Sequence, residues 1–327
     1  MIKHYENLTN ITKIINFTLT ICVLIFIEFV LVSCNSNRGI SSNGSSNSNS
    51  SGDNNGDKVN IVSSCIVGGD VIDSIDPCFP NELSWKNVVA ILNYKNRICT
   101  GVLIGKKTVL TAAHCLYDKE SDLDDFIAHT KVYVGGKDVL NYYEDDWSEI
   151  VSAKKHFSFG DFTDESLNKI NFYDGNQRDI GYIILKDELQ IPDSEIVKLL
   201  SLKELESIFP KNNNKNKIAN LKARIVGLGA NGNTTNNQEN RKYKVTTSLR
   251  NYNYQNSKIY VGEEKKGICA GDSGAPLLIK ITSGEWRIIG ISSAGPLDCD
   301  KVSSTIWDVF TLMTDDVLKW LQINNVY

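Results

Sequence analysis

Residues 271–291 read Gly-Asp-Ser-Gly-Ala-Pro-Leu-Leu-Ile-Lys-Ile-Thr-Ser-Gly-Glu-Trp-Arg-Ile-Ile-Gly-Ile. Residues 277–281 and 286–291 are apolar runs of strand length, and Ser283-Gly284-Glu285 between them reads as a hairpin turn. Just before the first run, Gly271 and Gly274 flank Asp272 and Ser273, so the backbone there can bend tightly and approach another molecule closely. The same texture continues toward the N-terminus. Val88-Val89-Ala90-Ile91-Leu92 and residues 101–104, 131–134, 180–185 and 223–226 read as strands, with polar loops at 117–125, 142–178 and 230–243. Many short strands, turn signals and few helices predict an all-β sandwich or barrel. One helix is expected after Thr314, with Asp315 and Asp316 in its first turn and Val317, Trp320 and Leu321 on its apolar face. A second has helical spacing over 194–208.

Three segments carry chemistry: Thr111-Ala112-Ala113-His114-Cys115, Arg178-Asp179-Ile180-Gly181 and the loop around Ser273. A serine hydroxyl is a poor nucleophile until a base takes its proton as it attacks. Neutral His114 can serve as that base, and a buried Asp179 can fix its tautomer and stabilise the imidazolium. The order His, Asp, Ser excludes the α/β-hydrolase arrangement, which runs Ser, acid, His.

These segments, together with Ile66-Val67-Gly68-Gly69, Cys99-Thr100-Gly101-Val102-Leu103-Ile104 and Gly290-Ile291-Ser292-Ser293-Ala294-Gly295, resemble the trypsin/chymotrypsin family of serine proteases over residues 66–327. The resemblance implies two perpendicular six-stranded β-barrels with a C-terminal α-helix and the site in the cleft between the barrels. It implies a serine endopeptidase that hydrolyses protein or peptide substrates through an acyl-enzyme intermediate, with His114, Asp179 and Ser273 catalytic. The N–H groups of Gly271 and Ser273 would form the oxyanion hole. Ser293 would sit beside Asp179, and Ser293 to Gly295 would pair with substrate backbone. The rival is a silent or never-activated family member acting as a binding module.

The resemblance further implies a zymogen, in which cleavage before Ile66 frees an amino group that pairs with Asp272. Cys65, not Arg or Lys, precedes Ile66, so the activating protease is not identified. Trypsin-type enzymes carry an Asp six residues before the nucleophile. Here that position is Gly267, followed by Ile268, with Gly295 on one wall and Thr305 opposite. The expectation is an uncharged small or medium apolar side chain before the scissile bond, not Arg or Lys. The family bridges match Cys99–Cys115 and Cys269–Cys299. Among the six cysteines after the signal, the remaining two, Cys65 and Cys78, are then expected to pair with each other; the competing reading is that they are free or bonded to another chain. No cofactor or metal is implied, and the five carboxylates between Asp118 and Asp125 match no calcium-loop spacing.

The chain has 327 residues and a formal net charge of −4 without a basic stripe, which argues against nucleic acid as a partner. Residues 1–34 have Lys3 and Lys13 before an apolar stretch and read as an export signal. The alternative is a retained membrane helix, against which Glu28 in the stretch costs roughly 2–3 kcal/mol. Its end, Leu31-Val32-Ser33-Cys34, resembles the lipobox of bacterial lipoproteins, in which the Cys is lipidated and anchors the chain to a membrane. Residues 35–65 are a Ser/Asn/Gly-rich linker and propeptide, whose low-complexity part has an average reach of roughly 25–30 Å. The expected product is exported, either secreted or lipid-anchored at the cell envelope, with the protease domain at 66–327.

Overall fold

A computed structural model of the chain describes residues 70–71, 85–134, 147–167, 169, 171–172, 175–229, 242–264, 266–296 and 307–327. All of them belong to one compact unit. Cys34, Cys65, Ile66, Cys78, Cys299 and Thr305 lie outside the described residues.

Six antiparallel strands close the N-terminal barrel. They are β2 (Val88–Leu92), β3 (Ile98–Leu103), β4 (Thr108–Thr111), β5 (Lys131–Tyr133), β6 (Trp147–Lys155) and β7 (Gly181–Leu185), in the ring order β2-β3-β4-β7-β6-β5. The C-terminal barrel uses β9 (Lys222–Gly227), β10 (Tyr243–Asn253), β11 (Lys258–Val261), β12 (Pro276–Lys280), β13 (Trp286–Ala294) and β14 (Asp308–Leu312). Its ring order is β10-β11-β14-β13-β12-β9, closed by pairing of β9 with β10. Short β1 (Asp70–Val71) adds to β10, and β8 (Lys198–Leu199) pairs in parallel with β13. Closure leaves each ring without a free edge. Each interior is apolar: Val102, Leu110 and Ile183 are fully buried in one barrel, and Ile225, Leu277 and Phe310 in the other.

The hairpin expected over 277–291 forms as β12 and β13, joined by the turn at Gly284, where φ is +86°. Two strands run through or beside segments expected to be loops. β6 buries only Ile150, Ala153 and Lys155 of its nine residues, so its outward Ser, Glu and Lys side chains mask the strand. β10 carries Lys244, Thr246, Arg250 and Asn251, which hide an otherwise buried strand. Helix α1 (Leu123–His129) also arises in an expected loop, where buried Phe126 packs edge-on to Tyr94 and Tyr117.

The helix expected over 194–208 forms only as α2 (Leu202–Ile208). Ser201 caps it, accepting from the Glu204 N–H while the Glu204 carboxylate accepts from the Ser201 N–H at 2.7 Å. The residues ahead form a 3-10 turn and then β8, because pairing with β13 buries Leu199. Helix α3 (Asp315–Ile323) buries Val317, Leu318, Trp320 and Leu321. Thr314 does not cap its N–H groups; its hydroxyl bonds the Ser257 hydroxyl at 2.6 Å and the Asp316 carboxylate. From the end of the C-terminal barrel, α3 packs Trp320 on His156 and on Tyr182 of the N-terminal barrel, and Asp316 pairs with Arg178 at 2.9 Å. Trp85 and Trp286 make a second contact between the barrels, with ring centroids 5.4 Å apart.

A disulfide joins Cys99 on β3 to Cys115 just after β4, across a sequence separation of 16. A closed loop of that size is worth about 3 kcal/mol of chain entropy in the unfolded state. The double variant Cys99→Ala/Cys115→Ala should therefore lose about 3 kcal/mol in guanidinium unfolding. A loss well under about 1 kcal/mol would show that the bridge is not a main restraint on this region.

Candidate active site

Asp179 lies two residues before β7 and is fully buried between the barrels. Its Oδ1 accepts the His114 backbone N–H at 3.0 Å. Its Oδ2 takes the His114 ring at Nδ1, 2.8 Å away, and the Ser293 hydroxyl at 2.7 Å. The Thr311 hydroxyl donates to the Asp179 carbonyl at 3.0 Å. Burial pushes the Asp179 carboxyl up, but the charge on His114 and the bonds from His114 and Ser293 together outweigh it, holding it below its ordinary value. With its Nδ1–H donated to Asp179, His114 keeps Nε2 as the basic nitrogen.

His114 lies in a 3-10 turn, Ala113–Cys115, that follows β4, and its side chain is 15% exposed. Ala113 packs with Phe159 and Phe162, and Phe172 meets the imidazole edge-on at 5.9 Å. The ring is thus held by apolar contacts on one side and by Asp179 on the other.

The loop carrying Ser273 is clamped by its backbone. The Ser273 carbonyl accepts the Thr100 N–H of β3 at 2.8 Å, and the Gly274 N–H donates to Ser292 of β13 at 2.9 Å. The Thr100 hydroxyl donates to the Gly271 carbonyl at 2.8 Å. Gly274 has φ +87°, and a Cβ there would lie 2.1 Å from both the Thr100 carbonyl oxygen and Thr111 Oγ1, so only glycine lets the loop sit this close. The oxidised Cys115 Sγ touches the Ser273 carbonyl at 3.6 Å, which brings Ser273 next to the residue after His114. Within the loop, the N–H of Asp272 is bonded to Cys269 and that of Gly274 to Ser292. Among the described residues the N–H groups of Gly271 and Ser273 have no acceptor.

Asp272 is fully buried beneath the same loop. It accepts from the Gly229 N–H at 2.8 Å and the Cys269 N–H at 2.9 Å. A Cβ at Gly227 would come 2.1 Å from Oδ1, and one at Gly229 within 2.5 Å of the carboxyl carbon. Burial pushes its carboxyl up to about 7 against the backbone bonds that favour the charged form.

Of the residues expected to shape the pocket, Gly267 and Ile268 are buried next to Cys269, and Gly295 follows β13. The structure brings beside Gly295 a carboxylate that the sequence reading did not single out. Asp308, at the start of β14, is fully buried and stands against Gly295, whose Cβ would meet its Oδ1 at 2.8 Å. The sequence signal was an acid opening the apolar run Asp308-Val309-Phe310. Nothing local to the Ser273 loop pointed to it. Cys269 is disulfide-bonded.

The family model described as Trypsin matches residues 72–321. The chain is similar to "Clotting factor G beta subunit" of Tachypleus tridentatus, 26% identical over 279 residues, 79% of this chain and 78% of that one. It is 27% identical to "Kallikrein 1-related peptidase b24" of Mus musculus over 256 residues, 73% of this chain and 83% of that one. It is 29% identical to "Melanization protease 1" of Drosophila melanogaster over 254 residues, 72% of this chain and 59% of that longer protein.

The buried Asp272 sets a pH dependence on stability. Its folded value of about 7 lies above its ordinary 3.8, so its contribution is fully present below about pH 4 and is lost as pH rises through about 7. Urea unfolding of the uncut chain at successive pH values should show Asp272→Asn gaining on the parent between about pH 4 and 7. A difference between the two that stays flat across that window would sink the assignment.

Proposed function

We propose that this chain, which belongs to the trypsin family of serine endopeptidases, hydrolyses peptide bonds with Ser273 as nucleophile, His114 as general base and Asp179 as the acid that orients it. The observation that carries the reading is the 2.8 Å contact of His114 Nδ1 with the buried Asp179 carboxylate, beside a serine loop clamped by both barrels. His114 Nε2 takes the hydroxyl proton as Ser273 Oγ attacks the scissile carbonyl carbon. The oxyanion that forms accepts from the N–H groups of Gly271 and Ser273, which have no acceptor among the described residues. His114 then passes the proton to the leaving amine, and water hydrolyses the resulting acyl-enzyme by the reverse path. Ser293 to Gly295 pair with the substrate backbone as an added strand.

Activation belongs to the same reading. Cleavage before Ile66 supplies an ammonium group, and Asp272 is a buried carboxylate held by N–H donors alone among the described residues. Pairing removes the burial penalty and locks the loop on which the two oxyanion donors lie. Residues 1–34 direct export, residues 35–65 act as linker and propeptide, and lipidation of Cys34 would hold the domain at a membrane.

Ser273→Ala should abolish peptide hydrolysis and labelling by a fluorophosphonate probe, and Asp179→Asn should lower kcat about 10⁴-fold. N-terminal sequencing of active enzyme should begin at Ile66. Hydrolysis that survives in Ser273→Ala refutes the nucleophile, and full activity from a chain beginning elsewhere refutes the switch.

A further inference from the structure

Beside Gly295 lies a buried carboxyl whose hydrogen bonding is incomplete among the described residues. Asp308 Oδ2 accepts the Ile268 N–H at 3.0 Å, whereas Oδ1 is buried and has no hydrogen-bond partner among the described residues. That orphan oxygen faces Gly295, and a Cβ on Gly295 would also meet Ile268 Cγ1 at 3.0 Å. Asp308, Ile268 and Gly295 therefore converge on one spot. Ile268 adjoins Cys269, whose N–H binds Asp272 directly before Ser273, so the spot lies at the base of the nucleophile loop. Burial pushes the Asp308 carboxyl well above its ordinary value, and the negative charge of nearby Asp272 pushes the same way.

A buried carboxylate oxygen without a donor is costly, and the cost is relieved by a group that brings N–H donors and positive charge together. A lone carboxylate between an isoleucine and a glycine offers a metal ion too few oxygen ligands. We propose that Asp308 is the specificity-determining residue of the site, receiving the guanidinium or ammonium of an arginine or lysine side chain on the acyl side of the scissile bond. The proposal rests on the protease reading above. It reverses the preference expected from Gly267, because the carboxylate missing from the loop before Ser273 is supplied by strand β14.

The test uses the full chain with an Asp-Asp-Asp-Asp-Lys site inserted between Cys65 and Ile66, cut by enteropeptidase and titrated with a fluorophosphonate. Peptides differing only in the residue before the scissile bond are compared. Arg and Lys should exceed Leu, Phe and Ala by about 100-fold in kcat/KM, and Asp308→Ser should lower the Arg-to-Leu ratio about 100-fold. Benzamidine, a small amidinium probe, should inhibit the parent enzyme competitively, a measurement that needs no variant to fold. A titratable enzyme that prefers apolar residues and ignores benzamidine overturns the proposal, as does a fall common to all peptides in Asp308→Ser. A cut chain that neither titrates nor cleaves any peptide overturns the protease reading, and this proposal with it.

Discussion

The carboxylate of Asp179 lies between two barrels with separate apolar interiors, and it is satisfied only by donors from both. His114, after a strand of the N-terminal barrel, gives its amide and its ring; Ser293, on a strand of the C-terminal barrel, gives its hydroxyl. A buried charge is tolerated when such bonds replace water and is destabilising when one is lost. The orientation of the imidazole and one of the links between the barrels therefore rest on the same group. Flanking contacts hold the same seam: Arg178 pairs with Asp316, and Trp320 lies on His156 and Tyr182.

Three buried acids surround the proposed site, and they differ in how far their charge is met. Asp179 has a histidine and a hydroxyl, and its carboxyl is held below the ordinary value. Asp272 has backbone N–H donors without a cation among the described residues, and burial carries it to about 7. Asp308 has one N–H, an oxygen without a partner among the described residues, and a like charge nearby. The ordering follows from burial opposed by local donors. In the proposed scheme each shortfall is met by something that arrives: a freed amino group at Asp272, a substrate side chain at Asp308.

Much of this was legible in the chain. The three segments around His114, Asp179 and Ser273 are local patterns, and the hairpin between 277 and 291 shows in its apolar runs and its Ser-Gly-Glu turn. The Cys99–Cys115 bridge was implied by the family resemblance. Other elements were hidden for stated reasons. β6 turns most of its side chains outward and so reads as polar loop. β10 contains lysine, arginine and asparagine, yet much of it is buried, including Lys244. The first half of the expected second helix becomes β8 because a neighbouring strand offers it a ladder, which overrides weak helical spacing.

The sequence by itself determined the order of the chemical groups and the all-β character, because nucleophile loop, turns and strand periodicity are properties of neighbouring residues. Tertiary structure alone decided which carboxylate stands against Gly295 and Ile268. Gly267 lies close to Ser273 in sequence and has no side chain to offer. Asp308 lies 35 positions beyond Ser273, and reaches Gly295 and Ile268 only because β14 pairs with β13 in the closed barrel. Pairing between distant strands is where electrostatics in this protein is set, and a linear reading has no term for it.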